Sequence, residues 1–480
     1  MQQTRDFINT ALCLDLDGTL IKSDALFESL FQLIKFNPLL LFVVPFWLMK
    51  GKPNLKEEID KRIDFDASNL PYNQELLEYA VLQKELGRKV YLATASHISI
   101  AEKVANHLGF FDGVYATKDG YNLKSEKKAK VLNEEFGKGN YVYAGDAKVD
   151  FNIWKDSAAS IVVSNSKSFI NSVSSKFNIE KSFYNEVNLT KRIIKQIRVY
   201  QWVKNILLFL PILLAHSLGN IKELTDVVIG FFSFSISASF VYVLNDLLDL
   251  DSDRSHPRKK FRPLASGDLP IQIGIALVPI LLIIGIGLSF LLSSKFQLIL
   301  LSYIVLTTAY SFSLKRIPIL DIILLATLFT SRIVAGAFAA NVELSMWILA
   351  FSMFFFLNLA VLKRYTELLV MKNKNEIEAK GRGYTIEDMG LLLSIGPAAG
   401  FLSVLVFVLY LNSSQATSLY NNPSILWLIS PIFLYWISRI WHLSVRGKMT
   451  DDPIVFAVKD KASYIIGILI FIIAVFATYG

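Results

Sequence analysis

The chain has 480 residues, 53% of them hydrophobic and 19% charged, with a formal net charge of +8. This composition excludes a disordered chain, and the length allows two or three domains. A single cysteine, Cys13, excludes an internal disulfide, and five scattered histidines show no zinc spacing. Positive charge can signal nucleic acid, but beside long apolar runs it is better explained by basic loops at a membrane surface.

The first residues, "MQQTRDFINTALCLDLDGT", hold no uninterrupted apolar region and no small-residue cleavage site, so no secretory signal is expected. Residues 1–200 alternate charged and apolar segments, whereas 201–480 are mostly long apolar stretches. In the first part three apolar strands end in polar chemistry. They are "LCLDLDGTL" (Leu12 to Leu20), "VYLATAS" (Val90 to Ser96) and "YVYAGDAKVD" (Tyr141 to Asp150). Helical segments between them predict a parallel α/β sheet, whose ligands bind at the carboxyl ends of the strands.

The DxDGT element followed by GDxxxD resembles the haloacid dehalogenase (HAD) superfamily, with the domain expected at 1–185. The resemblance implies a Rossmannoid sheet with a helical cap and a phosphatase site. Asp15 is then the nucleophile that forms an aspartyl-phosphate, and Asp17 the general acid/base. Asp15, Asp17 through its carbonyl, and Asp146 hold Mg²⁺, which prefers oxygen ligands. Thr94 contacts the phosphate, Lys124 is the phosphate-binding lysine with Lys127 and Lys128 as rivals, and Asp150 supports the metal carboxylates. A HAD fold kept as a docking module is the alternative. The cap is expected at about 20–89. Its apolar run "NPLLLFVVPFWLM", Asn37 to Met49, is too short to span a membrane. It fits either the core of a helical cap or a face resting on lipid.

A basic linker at 186–200 precedes a membrane domain at 201–480. Nine spans are expected, near 203–219, 223–244, 270–291, 296–313, 319–340, 345–365, 388–411, 423–443 and 462–479. Lysines and arginines, among them Lys372, Lys374 and Lys380, concentrate in alternate connections. The positive-inside rule then puts the N-terminal domain in the cytoplasm and the C-terminus outside, in an inner (plasma) membrane.

Four aspartates follow the second span in "NDLLDLDSDRSHPRKKFRPLASG", Asn245 to Gly267. At about 100° per residue, Asp246, Asp249 and Asp253 lie within about 60° of one another on a helix, and Asp251 points away. Three close carboxylates repel unless a cation sits among them, a spacing that suits Mg²⁺ on a substrate diphosphate. A solvated loop neutralised by nearby Arg and Lys is the bland alternative.

Asn245 to Asp253 matches the NDxxDxxxD motif of the UbiA superfamily of intramembrane prenyltransferases, and the likeness covers about 195–480. Members that prenylate aromatic rings carry a second DxxxD motif after the sixth span, which is lacking here. That loop reads "VLKRYTELL", with Lys363, Arg364 and Glu367 on one helical face. Together with "QWVKN" and "DRSHPRKKFRPLASG" it resembles the decaprenyl-phosphate phosphoribosyltransferase branch. That branch implies transfer of 5-phosphoribose from phosphoribosyl diphosphate (PRPP) to a polyprenyl phosphate. Asp246, Asp249 and Asp253 serve catalysis and metal binding. Asn245, Lys204, Arg258, Arg262, Lys363 and Arg364 are candidate substrate contacts, since three phosphates need several cations. Arg332, in the middle of the fifth expected span, faces a polar cavity, a lipid phosphate or an acid on another helix. The rival functions are an aromatic prenyltransferase using a prenyl diphosphate and a non-catalytic lipid-binding scaffold. No nucleic-acid partner is expected.

Overall fold

The computed structural model describes residues 7–118, 121–373, 382–449, 453–457 and 459–479. Lys374 and Lys380 lie outside them. The chain divides into two compact units. One comprises Met1–Arg198 and Tyr242–Pro279, the other Val199–Val241 and Ile280–Gly480.

The first unit carries β1 (Ala11–Leu14), α1 (Ala25–Phe36), α2 (Val44–Met49), α3 (Lys52–Asp60), α4 (Gln74–Glu85), β2 (Val90–His97) and α5 (Ile98–Leu108). It continues with β3 (Gly113–Thr117), α6 (Glu126–Phe136), β4 (Tyr141–Gly145), β5 (Ala159–Ser164) and β6 (Ile179–Tyr184). The strands form one parallel sheet in the order β3-β2-β1-β4-β5-β6. Both faces are buried, which is why its strands read as nearly continuous apolar runs. Leu12 and Leu14 pack into one core with Leu92 and Val142, while Cys13 and Tyr143 turn to the other. This is the parallel α/β sheet expected. Asp24 caps α1 by accepting a hydrogen bond from the Leu26 amide at 2.9 Å. Helices α1 to α3 close on Leu33, Trp47, Leu55 and Ile59 as a helical cap.

The division falls between Arg198 and Val199, and the first unit also takes in Tyr242–Pro279. Side-chain pairing explains it. Arg254 forms a bidentate pair with Glu28 of α1 at 2.9 and 2.6 Å, and Arg192 pairs with Asp268 at 2.9 Å. The basic linker also contributes, through the short helix Leu189–Gln196.

Among the described residues, eight helices are long and apolar enough to cross a membrane, from Ile221–Leu248 to Lys461–Tyr479. This is an integral membrane protein. The bent pair Leu189–Gln196 and Val199–Leu214, in the region of the expected first span, brings the number to nine if it is one span. Arg198 breaks them with a left-handed φ of +55°.

Candidate active sites

The first site is a cavity of about 240 Å³ at the carboxyl ends of the strands. Asp15 follows β1 and Asp146 follows β4, so the parallel sheet delivers both to one edge. Asp15 Oδ1 accepts from the Leu16 amide at 2.8 Å, and Oδ2 from the Tyr143 hydroxyl at 2.9 Å. Lys128 Nζ stands 3.0 Å from Asp15 Oδ2 and donates to the Tyr143 hydroxyl at 2.8 Å. Asp17 accepts from the Ala25 amide at 2.7 Å and from the Ser96 hydroxyl at 2.8 Å, so the cap's first helix is tied to this carboxylate. Asp150 accepts from the Ala147 amide at 3.0 Å and the Asp146 amide at 3.2 Å, which shapes the loop that presents Asp146.

Lys124 lines the cavity, but it is Lys128, on the inward face of α6, that reaches Asp15. Thr94 is fully buried within β2, and its hydroxyl oxygen accepts from the Ser96 amide at 3.0 Å; Ala95 and Ser96 are the β2 residues that line the cavity. Tyr143 was missed, because an aromatic inside an apolar strand reads as core. The cap lysines Lys52 and Lys56 also line the cavity. Lys56 donates to the Ala95 carbonyl at 2.6 Å, bridging cap and sheet.

The crowding of carboxylates has an electrostatic signature. Burial, then the charge of Asp15, pushes the Asp146 carboxyl up to about 8. Burial and the neighbouring Asp24 push Asp17 up to about 7. Gly18, at a φ of +73°, makes the packing possible: a Cβ there would sit 2.3 Å from Asp146 Oδ2. Among the described residues no three His, Cys, Asp or Glu side chains form a ready metal cage. A Mg²⁺ site of Asp15, Asp146 and the Asp17 carbonyl requires only two carboxylates, so the donors present fit.

The second site is the aspartate-rich stretch. Two of the three carboxylates of the expected face, Asp246 and Asp253, meet on one guanidinium nitrogen of Arg262. The long helix ends at Leu248, and Asp249 (φ −100°, ψ 15°) stands at a break before the helix Leu250–Ser255. The bonds from the Asp249 amide to the Asn245 carbonyl and from the Asp253 amide to the Asp249 carbonyl, 2.9 and 2.8 Å, still carry the helical path across it. Arg262 bridges Asp246 at 3.0 Å and Asp253 at 2.5 Å. Arg198 adds a contact to Asp246 at 2.5 Å, and Gln196 donates to its other oxygen at 2.8 Å. The guanidinium groups thus neutralise the carboxylates that were expected to meet round a metal. Asp253 Oδ1 remains buried without a hydrogen bond, 3.8 Å from Lys259 Nζ. An orphaned carboxylate oxygen beside basic residues fits a hard divalent cation with an anionic ligand. Asp251 turns the other way and accepts from Gln32 of α1. Arg258 is exposed on the basic run, and Asn245 is half-buried.

In the second unit Arg332 is buried, with no acid partner among the described residues. It donates to Asn205 at 2.8 Å and to the Tyr303 hydroxyl at 3.2 Å, and packs over the Phe234, Tyr303 and Phe329 rings. These donors are used within the protein. Lys204 and Lys363 are half-buried.

Arg364 is held within the second unit. Its Nε binds Asp321 at 2.5 Å, one terminal nitrogen binds Glu367 at 2.6 Å and the other the Tyr310 hydroxyl at 2.9 Å. Tyr384 donates to the second Asp321 oxygen at 2.5 Å. Two acids hold this guanidinium, which makes it a buried hub of the second unit. Asp321 was missed, although an aspartate at the start of an apolar span is a signal in its own right. Arg364→Ala leaves Asp321 buried and uncompensated, and breaking such a pair costs about 3 kcal/mol or more. The detergent-solubilised variant is expected to unfold several degrees below wild type; an unchanged midpoint would refute the hub.

The UbiA prenyltransferase family model matches residues 206–477. The chain is 37% identical to uncharacterized protein y4nM of Sinorhizobium fredii, over 96% of this chain and 89% of that one. It is 40% identical to the decaprenyl-phosphate phosphoribosyltransferase of Corynebacterium glutamicum, over 38% of this chain and 56% of that enzyme. The corresponding Mycolicibacterium smegmatis enzyme is 28% identical, over 58% of this chain and 90% of its own length. With more than half its length inside the family match, and the aspartate stretch at the end of its first long membrane helix, this chain belongs to the UbiA prenyltransferase family.

Proposed function

We propose that the membrane part transfers 5-phosphoribose from PRPP to a polyprenyl phosphate, and that the HAD-like unit removes the 5-phosphate from the lipid product. The observation that carries the reading is the likeness of the membrane part to enzymes named decaprenyl-phosphate phosphoribosyltransferase, along 90% of the length of the M. smegmatis one. The placing of both reactions at the cytoplasmic face rests on the concentration of lysine and arginine in alternate connections.

In the transfer, an oxygen of the lipid phosphate attacks C1 of the phosphoribose and the bond to diphosphate breaks. The nucleophile is already anionic, so no strong base is required. Asp246, Asp249 and Asp253 would hold Mg²⁺, which supplies Lewis-acid stabilisation of the leaving diphosphate. Arg262 and Arg198, released from the carboxylates, would then bind phosphate oxygens. Lys204, Arg258 and Lys363 are proposed as further phosphate contacts.

In the hydrolysis, Asp15 attacks phosphorus while Asp17 protonates the leaving ribose oxygen. Asp17 then takes a proton from water, which attacks the aspartyl-phosphate and frees inorganic phosphate. Lys128 and Ser96 would steady the phosphoryl oxygens. Asp15, the Asp17 carbonyl and Asp146 would hold Mg²⁺ there.

Purified protein given Mg²⁺, PRPP and polyprenyl phosphate is expected to release diphosphate; release only with a prenyl diphosphate and an aromatic acceptor would overturn the reading. Gly18→Ala pushes the Asp146 carboxylate aside. Hydrolysis of a soluble phosphomonoester is expected to fall about a hundredfold, the scale of an ångström misplacement, while diphosphate release persists. Full hydrolysis by this variant would show that Asp146 is not needed where it stands.

A further inference from the structure

The cap wears apolar residues on both of its sides. Inward, Trp47 and its neighbours Leu40 and Val44 pack on Leu33, Leu55 and Ile59. Outward, Phe36, Leu39, Phe42, Phe46 and Met49 are 79%, 71%, 73%, 65% and 84% exposed. The outward set forms a ridge of exposed side chains from the end of α1 through the turn Pro38–Phe42 and α2. The cap core is complete without the ridge, so folding does not explain it. A contiguous apolar ridge of this kind on a surface marks an interaction site.

What covers it follows from the attachment of α1. Glu28 is clamped by Arg254 at 2.9 and 2.6 Å, and one turn on Gln32 binds Asp251. These partners lie on the helix Leu250–Ser255, which begins two residues after the membrane helix ends at Leu248. Phe36 is eight residues beyond Glu28, about 12 Å along the helix. The ridge is therefore continuous with the contact between α1 and the end of a membrane span. Lys35, Lys50 and Lys52 flank it, as basic residues flank segments that lie in an anionic lipid surface.

We propose that the ridge Phe36 to Met49 is a bilayer-seated wedge, dipping into the headgroup and acyl boundary of the membrane that the chain itself spans. The wedge leads directly into α3, whose Lys52 lines the phosphatase cavity. The cavity mouth then opens at the lipid surface, and its substrate class is a phosphomonoester carried on a membrane lipid. This last step rests on the proposed phosphatase; the wedge itself does not.

The test uses the full chain in nanodiscs of phosphatidylcholine and phosphatidylglycerol. The native thiol, Cys13, is buried and stays unlabelled. Leu39→Cys and Phe42→Cys are each labelled with an environment-sensitive fluorophore, and Lys138→Cys serves as a solvent control. Lipids brominated on the acyl chains are expected to remove most of the emission at 39 and 42, while aqueous iodide quenches only at 138. Iodide quenching at 39 and 42 without bromolipid quenching would overturn the wedge. Protection from both quenchers would overturn it too, showing that a protein surface covers the ridge. Neither outcome depends on phosphatase activity, so failure of the wedge and failure of the phosphatase remain distinguishable.

Discussion

Asp249→Asn is expected to lower diphosphate release from PRPP at least about a hundredfold, the scale of removing one charge that stabilises the transition state. The substitution keeps size and the helical path. Asp249 stands at the helix break between Asp246 and Asp253, whose carboxylates are already bridged by Arg262. It is the member of the motif best placed to complete a cation site without first giving up a guanidinium. Asp251→Asn should cost little in the same assay, because that side chain is turned to Gln32 on the cap. Equal losses in the two variants would mean that the stretch acts through charge alone and not through one face.

Asp15→Asn is expected to lower hydrolysis of a soluble phosphomonoester at least about a thousandfold, as loss of a covalent nucleophile does. Diphosphate release should be unchanged. The residue is held by three groups, the Leu16 amide, the Tyr143 hydroxyl and Lys128, so its carboxylate is aimed before any substrate arrives. Retained hydrolysis would displace Asp15 from the chemistry.

Local motifs were the legible part. "LCLDLDGTL" and "YVYAGDAKVD" place chemistry at strand ends within a few residues, and a parallel sheet brings strand ends together whatever lies between. The membrane helices were legible from length and apolarity alone. Pairings across long stretches of chain were not. Arg364 meets Asp321 from 43 residues away, and Gln196 meets Asp246 from 50. No periodicity encodes such contacts, so the basic linker looked like a linker and Arg364 looked like an unclaimed cation. Lys124 precedes α6, before the left-handed turn at Ser125, whereas Lys128 lies in the first turn of the helix, and only the packing of α6 aims Lys128 at Asp15.

The central claim is that one chain makes a phosphoribosyl lipid and then dephosphorylates it. Mass spectrometry of lipids formed from PRPP and polyprenyl phosphate by wild type and by Asp15→Asn tests this most directly. The account predicts polyprenyl-phosphoryl-ribose from wild type, and the same lipid heavier by one phosphate from the variant. If both proteins leave the 5-phosphate in place, or neither makes a ribosylated lipid, the account is contradicted.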